Sequence, residues 1–315
     1  MKQKHRARIK VTSRSFSRHP VLKQELLDIF PNSVFNTDGP PTGLANIVEF
    51  LNDADGMILG LEQMDRQVLQ QLNNLKIIAK YGVGLDNLDV EAAEELNIAV
   101  GWTGGVNKRS ASEQALVFML GLSRNLFFSA FPLKHGKWEK EGGRLLSGNC
   151  VGIIGCGHIG MDVVHLLQPF NCRVLICDIL DKRGVVDTYG ATQVSLDELL
   201  AEADVVSLHV PLTELTQGMV NEEFLQKMKP TAYLINNSRG PVVNQKALKN
   251  ALQEKIIAGA ALDVFEVEPP EDLEFLALPN LMVTPHIGGN ANEAVLAMGS
   301  SAIGHLKEYF LDSNT

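Results

Sequence analysis

Cysteine is scarce in this 315-residue chain, which holds four, Cys150, Cys156, Cys172 and Cys177, in one short stretch with no C-x-x-C pair. That excludes a disulfide framework and makes a zinc or redox motif a poor reading; the four read as small buried residues in a reducing compartment. Long apolar runs are also missing. The longest uncharged stretch is interrupted by glycines around Gly155, so no segment is suited to span a bilayer, and no metal site is expected. Positive charge is in deficit, with 28 Lys and Arg against 37 Asp and Glu, and a net charge of −9 argues against broad nucleic-acid binding. Internal repeats and low-complexity tracts are not apparent. The expectation is a cytoplasmic protein with neither a membrane nor a nucleic-acid partner.

One segment departs from the acidic balance. The first twenty residues hold seven Lys or Arg and no acid, as a transit peptide does. Arg8-Ile9-Lys10-Val11-Thr12, however, has the look of an opening strand, so the start is read as a solvated part of the first domain.

The length exceeds the roughly 100 to 200 residues of one domain, and the composition, 45% hydrophobic and 21% charged, is that of an ordinary globular protein. Strand candidates at Ile9–Thr12, Ser33–Phe35, Gly56–Leu59, Lys76–Ala79 and Ile98–Val100 alternate with helical spacing over Val21–Ile29, Leu44–Leu51 and Val90–Leu96. This is the pattern of a parallel sheet covered by helices. Ser110–Phe128 reads as one long apolar helix, with Glu113 as capping-box partner of Ser110. Pro132–Asn149 reads as a less regular connecting arm. Further strands are expected at Val151–Ile154, Arg173–Cys177, Val205–Val210, Ala232–Asn236, Ala258–Leu262 and Leu281–Thr284. A last helix, Ala291–Phe310, is expected to cross back to the first domain. The expected division is therefore 1–101 with 288–315, and 102–287 with an arm over about 110–150.

The most informative stretch is Val151-Gly152-Ile153-Ile154-Gly155-Cys156-Gly157-His158-Ile159-Gly160, a buried strand leading through a glycine turn into a helix. Gly155 suits the tight turn, Gly157 lets backbone approach a pyrophosphate, and Gly160 lets the helix lie against the sheet. A helix N-terminus offers unpaired N–H groups to an anion. A lone G-x-G-x-x-G also serves as a plain strand-to-helix connection, but here a second apolar strand ends at Asp178. That is close to the roughly twenty-residue offset at which an acid meets the adenosine ribose.

Ligands in parallel α/β sheets sit at the carboxyl ends of strands, and three late strand ends are unusually polar. They carry Asn236-Asn237-Ser238-Arg239-Gly240, Asp263 through Glu268-Pro269-Pro270, and Pro285-His286-Ile287-Gly288-Gly289. These groups suit hydride exchange between a hydroxy acid and a nicotinamide. His286 has the unperturbed pKa for moving the alcohol proton, Glu268 can orient it and favour its protonated form, and Arg239 can hold a carboxylate and a carbonyl oxygen in a planar fork. Taken singly, a strand-end His more often packs than catalyses, Arg239 can pair with Glu268 or stabilise helix ends, and Glu268 can be an exposed turn acid. Their joint position after a dinucleotide fingerprint favours chemistry.

These residues resemble the D-isomer-specific 2-hydroxyacid dehydrogenases, in the D-3-phosphoglycerate dehydrogenase branch. The likeness runs from about Ile9 onward. It rests on the Gly155 fingerprint, His209-Val210-Pro211-Leu212-Thr213 with Thr216, Asn236–Gly240 followed by Pro241-Val242-Val243, Ala260-Ala261-Leu262-Asp263-Val264-Phe265 leading to Glu268-Pro269, and Pro285-His286-Ile287-Gly288. The resemblance implies an α/β fold of two doubly wound parallel-sheet domains, a Rossmann-type cofactor domain and a flavodoxin-like substrate domain, with the active site in the cleft. It implies NAD as cofactor, Arg239, Glu268 and His286 as the catalytic set, and Asp178 as the NAD-selecting acid. Gly155, Gly157, His158, Ile159 and Gly160, together with Pro211, Thr216, Ser238, Asp263 and Gly288, fall on cofactor-holding positions. Tyr81-Gly82-Val83-Gly84-Leu85-Asp86-Asn87 resembles the substrate loop, in which the N–H groups of Val83 and Gly84 receive the carboxylate. The family is usually a dimer built around an arm like the one after Ser110.

The departures from the family concern the substrate. Members acting on phosphoglycerate tend to carry a basic residue after the third strand, where this chain has Gly60-Leu61-Glu62. An acid there repels a phosphate, although Lys80 and the Arg14–Arg18 loop can supply positive charge. Gly104-Gly105 replaces the commoner Pro-Gly and Asn244-Gln245 an acidic pair, both outside the chemical set. The expected function is an NAD-dependent oxidoreductase for a small D-2-hydroxy acid, phosphoglycerate dehydrogenase or glyoxylate and hydroxypyruvate reductase among the candidates. The alternative is a non-enzymatic, corepressor-like NAD(H)-sensing protein. Lys182 and Arg183 behind Asp178 leave NADP as a lesser possibility.

Overall fold

The computed structural model describes residues 4–37 and 44–312, so Lys2 of the basic opening segment lies outside the described residues. The chain divides into two compact units, Met1–Asn107 with Ala291–Thr315, and Lys108–Asn290. The sequence placed the divisions at 101/102 and 287/288; in the structure they fall at the start of one long helix and just before another.

The first unit contains a five-stranded, all-parallel sheet of β1 (Ile9–Val11), β2 (Val34–Phe35), β3 (Gly56–Leu59), β4 (Ile77–Lys80) and β5 (Ala99–Gly101) in the order β2-β1-β3-β4-β5. This is the flavodoxin-like order. Its central strands are apolar on both faces because both are covered. Ile58, Ile77 and Ala79 pack in one cluster with Phe16, Leu22 and Leu26, while Met57, Leu59 and Ile78 pack in the other with Leu51, Val68 and Ala92. The helix Asn292–Lys307 adds Met298, Ala302 and Leu306 to the first cluster.

The second unit holds seven parallel strands: β6 (Cys150–Ile154), β7 (Arg173–Cys177), β8 (Thr192–Gln193), β9 (Val205–Leu208), β10 (Tyr233–Asn236), β11 (Gly259–Leu262) and β12 (Leu281–Val283). Their order is β12-β11-β10-β9-β6-β7-β8, so the strand order reverses at β6, where a doubly wound sheet opens its ligand crevice. Cys150 and Ile154 of β6 face one core cluster, and Val151 and Ile153 face the other. Gly152 lies between them where the helix Leu196–Glu202 presses on the sheet; a Cβ there would lie 2.4 Å from Leu199 Cδ2 and 3.1 Å from Ala203 Cβ.

Three expectations need correction. Ser110–Phe128 is not one helix: Lys108–Ser123 and Leu126–Lys134 meet at a 69° bend, where Asn125 takes a left-handed φ of 52°. Ser110 is not a cap. It lies inside the first turn, and its hydroxyl donates to Gly288 O at 2.6 Å. The last α-helix ends at Lys307 rather than Phe310 and passes into a π-helical turn, Glu308–Asp312. Strand ends shift by one or two residues, the usual margin at a fraying boundary. Among the described residues no single helix is long and apolar enough to cross a membrane, and no group of three His, Cys, Asp or Glu could hold a metal ion. The cysteines are unpaired, and burial pushes the Cys156 thiol up to about 11.

Gly152→Ala should destabilise the chain by about 1 to 3 kcal/mol through overpacking against Leu199 and Ala203. Thermal unfolding followed by circular dichroism measures this; an unchanged midpoint would show that the helix yields freely.

Candidate active site

The turn after β6 is shaped by contacts that only glycine tolerates. Gly155 has φ of 84°, and a Cβ on it would sit 2.7 Å from His209 O; one on Gly160 would sit 2.2 Å from Gly155 O. Gly157 is different: an added Cβ meets nothing within 4 Å. It opens the helix His158–Leu167 without a side-chain cap, so the first-turn N–H groups at His158, Ile159 and Gly160 have no intrahelical acceptor. Open space above an uncapped helix N-terminus fits a pyrophosphate.

Asp178 follows β7 and ties this turn to its own. Its Oδ2 accepts from Cys156 N at 2.7 Å and its Oδ1 from Leu180 N at 2.8 Å, with Lys182 Nζ 3.3 Å from Oδ2. Burial acts to raise its pKa, but the two backbone donors and Lys182 outweigh it and hold the carboxyl below its ordinary range. After β9, Thr216 Oγ1 donates to Pro211 O at 2.6 Å and accepts from Thr213 N at 2.8 Å, closing that loop. After β10, Asn236 organises the turn. Its Oδ1 accepts from Ser238 N and Oγ, and its Nδ2 donates to Arg239 O, while Arg239 Nη1 donates to Ser238 O at 2.7 Å.

Asp263, after β11, is the hub of the remaining loop. It is 1% exposed, and its Oδ1 accepts from Thr284 Oγ1 (2.5 Å), Gln114 Nε2 (2.9 Å) and Ile287 N (2.9 Å), its Oδ2 from Gly288 N (2.7 Å). Asp263 O also accepts from His286 N at 2.8 Å, holding His286 at a left-handed φ of 53° that non-glycine residues adopt uncommonly. In that pose His286 Nδ1 is 2.7 Å from Glu268 Oε2, and Glu268 Oε1 accepts from Phe265 N at 3.0 Å.

The carboxylate raises the His286 pKa above its ordinary value; burial and Arg239 oppose it, and Asp263 adds to it. Burial acts to raise Glu268, but the bonds from His286 and Phe265 N prevail and hold it low. The other strand-end histidine behaves oppositely. The His209 ring pairs with Ser207 Oγ, and burial pushes its pKa down to about 4, so it is neutral where His286 can carry a proton. The His286–Glu268 pair can therefore move a proton at His286 Nε2 while Nδ1 stays on the carboxylate.

The first unit presents its own loop after β4. Trp102 Nε1 donates to Val83 O at 3.0 Å, and among the described residues no acceptor bonds the N–H of Val83 or Gly84. Lys80 does not supply the free positive charge expected of it: it is 5% exposed, and its Nζ donates to Gly60 O and Asn87 Oδ1. Glu62 turns back as well, its Oε2 accepting from Thr12 Oγ1 at 2.6 Å and Gly60 N at 3.2 Å.

Residues 116–288 match the family model described as D-isomer specific 2-hydroxyacid dehydrogenase, NAD binding domain. The chain belongs to that family. Its cofactor is NAD. The chain is 39% identical to the glyoxylate reductase of Pyrococcus furiosus over 80% of this chain and 78% of that one. It is 36% identical to the D-3-phosphoglycerate dehydrogenase of Methanocaldococcus jannaschii over 85% of this chain and 52% of that longer one. Its structure resembles D-lactate dehydrogenase from Aquifex aeolicus, complexed with NAD and lactic acid, with a TM-score of 0.84 and 27% identity over 96% and 95% of the two chains.

Sequence reasoning missed Gln114 and Thr284, and it named Asn236 only as part of a polar strand end. Gln114 carried a signal: it is a polar residue on the stripe of Ala111, Ala115 and Phe118 that the helix buries. Asn236 and Thr284 lay at strand ends already flagged, but nothing in the sequence says which neighbour their side chains hold.

Glu268→Gln should move the His286 titration to lower pH, because it removes the charge that raises it most and leaves burial as the largest remaining influence, against the imidazolium. Proton NMR of the imidazole measures it, and a midpoint that stayed or rose would contradict the assigned pairing.

Proposed function

We propose that this chain is an NAD-dependent reductase and dehydrogenase of short, unphosphorylated D-2-hydroxy acids and their 2-oxo acids, glyoxylate and hydroxypyruvate foremost. The observation that carries the reading is the His286–Glu268 pair, set by the Asp263 loop in the same unit as the Gly155 turn. NAD supplies the hydride acceptor or donor. Gly155, Gly157, His158, Ile159 and Gly160 hold its pyrophosphate, and Asp178 accepts from its ribose hydroxyls. Pro211, Thr216, Ser238 and Gly288 lend backbone and side-chain walls to the cofactor site, and Asp263 acts there through the loop it holds.

In the reduction, Arg239 holds the 2-oxo acid by its carboxylate and carbonyl oxygen. His286 gives its Nε2 proton to that oxygen as the alcohol forms, and Glu268 stabilises the imidazolium until then. In the oxidation, neutral His286 takes the proton back. The substrate preference rests on the neighbouring ends of β3 and β4. Leu61 is 81% exposed there, Glu62 adds an acid, and Lys80 is already bonded, so the edge offers a phosphate no cation from these strands. The glyoxylate reductase likeness agrees with that.

NADH oxidation followed optically against glyoxylate, hydroxypyruvate, pyruvate, 2-oxoglutarate, longer 2-oxo acids and 3-phosphohydroxypyruvate tests the class and preference together. Glyoxylate or hydroxypyruvate should give the highest kcat/KM; the phosphorylated acid in first place would overturn the preference, and no turnover at all would favour the sensing alternative. His286→Ala should lower kcat by about 100- to 10,000-fold while leaving NADH binding nearly unchanged. Retained activity would remove His286 from its role.

The assembly we propose is a homodimer through the arm. Helix Leu126–Lys134 buries none of its residues, and Leu126, Phe127, Phe131 and Leu133 are exposed with Trp138 close behind in sequence. Such a run of apolar side chains marks an association surface. Sedimentation should give a dimer that Phe131→Glu with Leu133→Glu converts to monomer; a monomeric parent chain would refute the assembly.

A further inference from the structure

We propose that Lys182 sets the cofactor preference of this site: its ammonium offsets the charge of Asp178 and serves as counter-charge for a 2′-phosphate, so the adenosine end accepts NADP(H) as well as NAD(H). This rests on the reading of Asp178 as the ribose-binding acid. Such an acid selects in two ways, by accepting from the ribose hydroxyls and by repelling a phosphate. The second needs net negative charge at the turn, and this turn has none.

Lys182 Nζ lies 3.3 Å from Asp178 Oδ2, and the two side chains are only 16% and 10% exposed, so water screens the pair weakly. The contact is built rather than incidental. Lys182 N donates to Gln193 Oε1 at 2.8 Å, and Gln193 Nε2 donates to Leu180 O at 2.9 Å and Asp178 O at 3.3 Å. One glutamine of β8 thus fastens both ends of the turn and fixes where the lysine starts. The other two charges cancel as well: Arg183 Nε and N bond the Asp181 carboxylate at 2.6 and 3.0 Å. Two acids and two bases remain, paired one to one.

Asp178 has three of its roughly four acceptor sites filled. Its Oδ1 already holds Leu180 N, and its Oδ2 holds Cys156 N and Lys182. A ribose hydroxyl finds one open acceptor site, on Oδ1, so the carboxylate can serve the hydroxyls of NAD(H) while its charge stays offset by Lys182. The Lys182 ammonium has three donors and gives one to Asp178, so it can meet a 2′-phosphate while keeping that contact.

The test is the dissociation constants of NADH and NADPH for the full chain, read by nicotinamide fluorescence, with ADP-ribose and its 2′-phosphate as probes that cannot turn over. NADPH should bind the parent chain within about tenfold of NADH, and Lys182→Met should weaken NADPH by about tenfold or more while changing NADH less than about threefold. Lys182→Arg should keep the parent ratio. Raising salt on the parent chain should weaken NADPH more steeply than NADH, a readout that needs no variant. An unchanged NADPH-to-NADH ratio in Lys182→Met, or a parent chain that binds NADH and rejects NADPH, overturns the proposal alone. Failure of both ADP-ribose probes to bind overturns the Asp178 reading with it.

Discussion

The Asp263 carboxylate is the interaction on which the rest of the site depends. A buried charge is costly unless it is fully paired, and this one takes four donors from two segments of chain. Two of them are consecutive backbone N–H groups, Ile287 and Gly288, which a straight strand would aim to opposite sides. Holding both bends the chain after β12, and the bend puts His286 in its left-handed conformation with the ring against Glu268. The imidazole is thus placed by backbone geometry and charged by one carboxylate, with a second carboxylate fixing the first arrangement. The strain of a non-glycine residue at positive φ is offset by the bonds that surround it.

Much of this was legible in the sequence, and the reason is steric. Gly155 and Gly160 occupy positions where a Cβ would collide with backbone oxygen, so the fingerprint reports a geometry that other residues cannot adopt. The buried strands were equally plain. In β3, β4, β6 and β9 nearly every residue is apolar, and a short run with no polar face fits a strand covered on both sides better than an element that meets water. His286, Glu268 and Arg239 could be named because polar residues at parallel-strand carboxyl ends stand where ligands collect.

What stayed hidden depends on pairing in space. The bend at Asn125 follows from one residue taking φ of 52°, which the apolar spacing of the flanking segments does not report. Ser110 reads as a helix cap because the local pattern fits one, yet its hydroxyl serves a carbonyl 178 residues away. Lys80 and Glu62 read as free charges at a sheet edge and are each consumed by neighbours, Lys80 through the β3–β4 register and Glu62 through the β1–β3 pairing that brings Thr12 close. Charge in a sequence shows what is available; only the fold shows what has already been used.

The first unit is assembled from two distant pieces of chain, with Asn292–Lys307 packing Met298, Ala302 and Leu306 onto the cluster that holds β1 and β4. On a ribosome adding roughly 5 to 20 residues each second, Lys108–Asn290 emerges whole before that helix exists. The second unit can close its sheet while the first still exposes Ile9, Leu22 and Ile77 to water. Synthesis order therefore makes the first unit the later to mature and the more dependent on protection from aggregation, even though its strands are translated first.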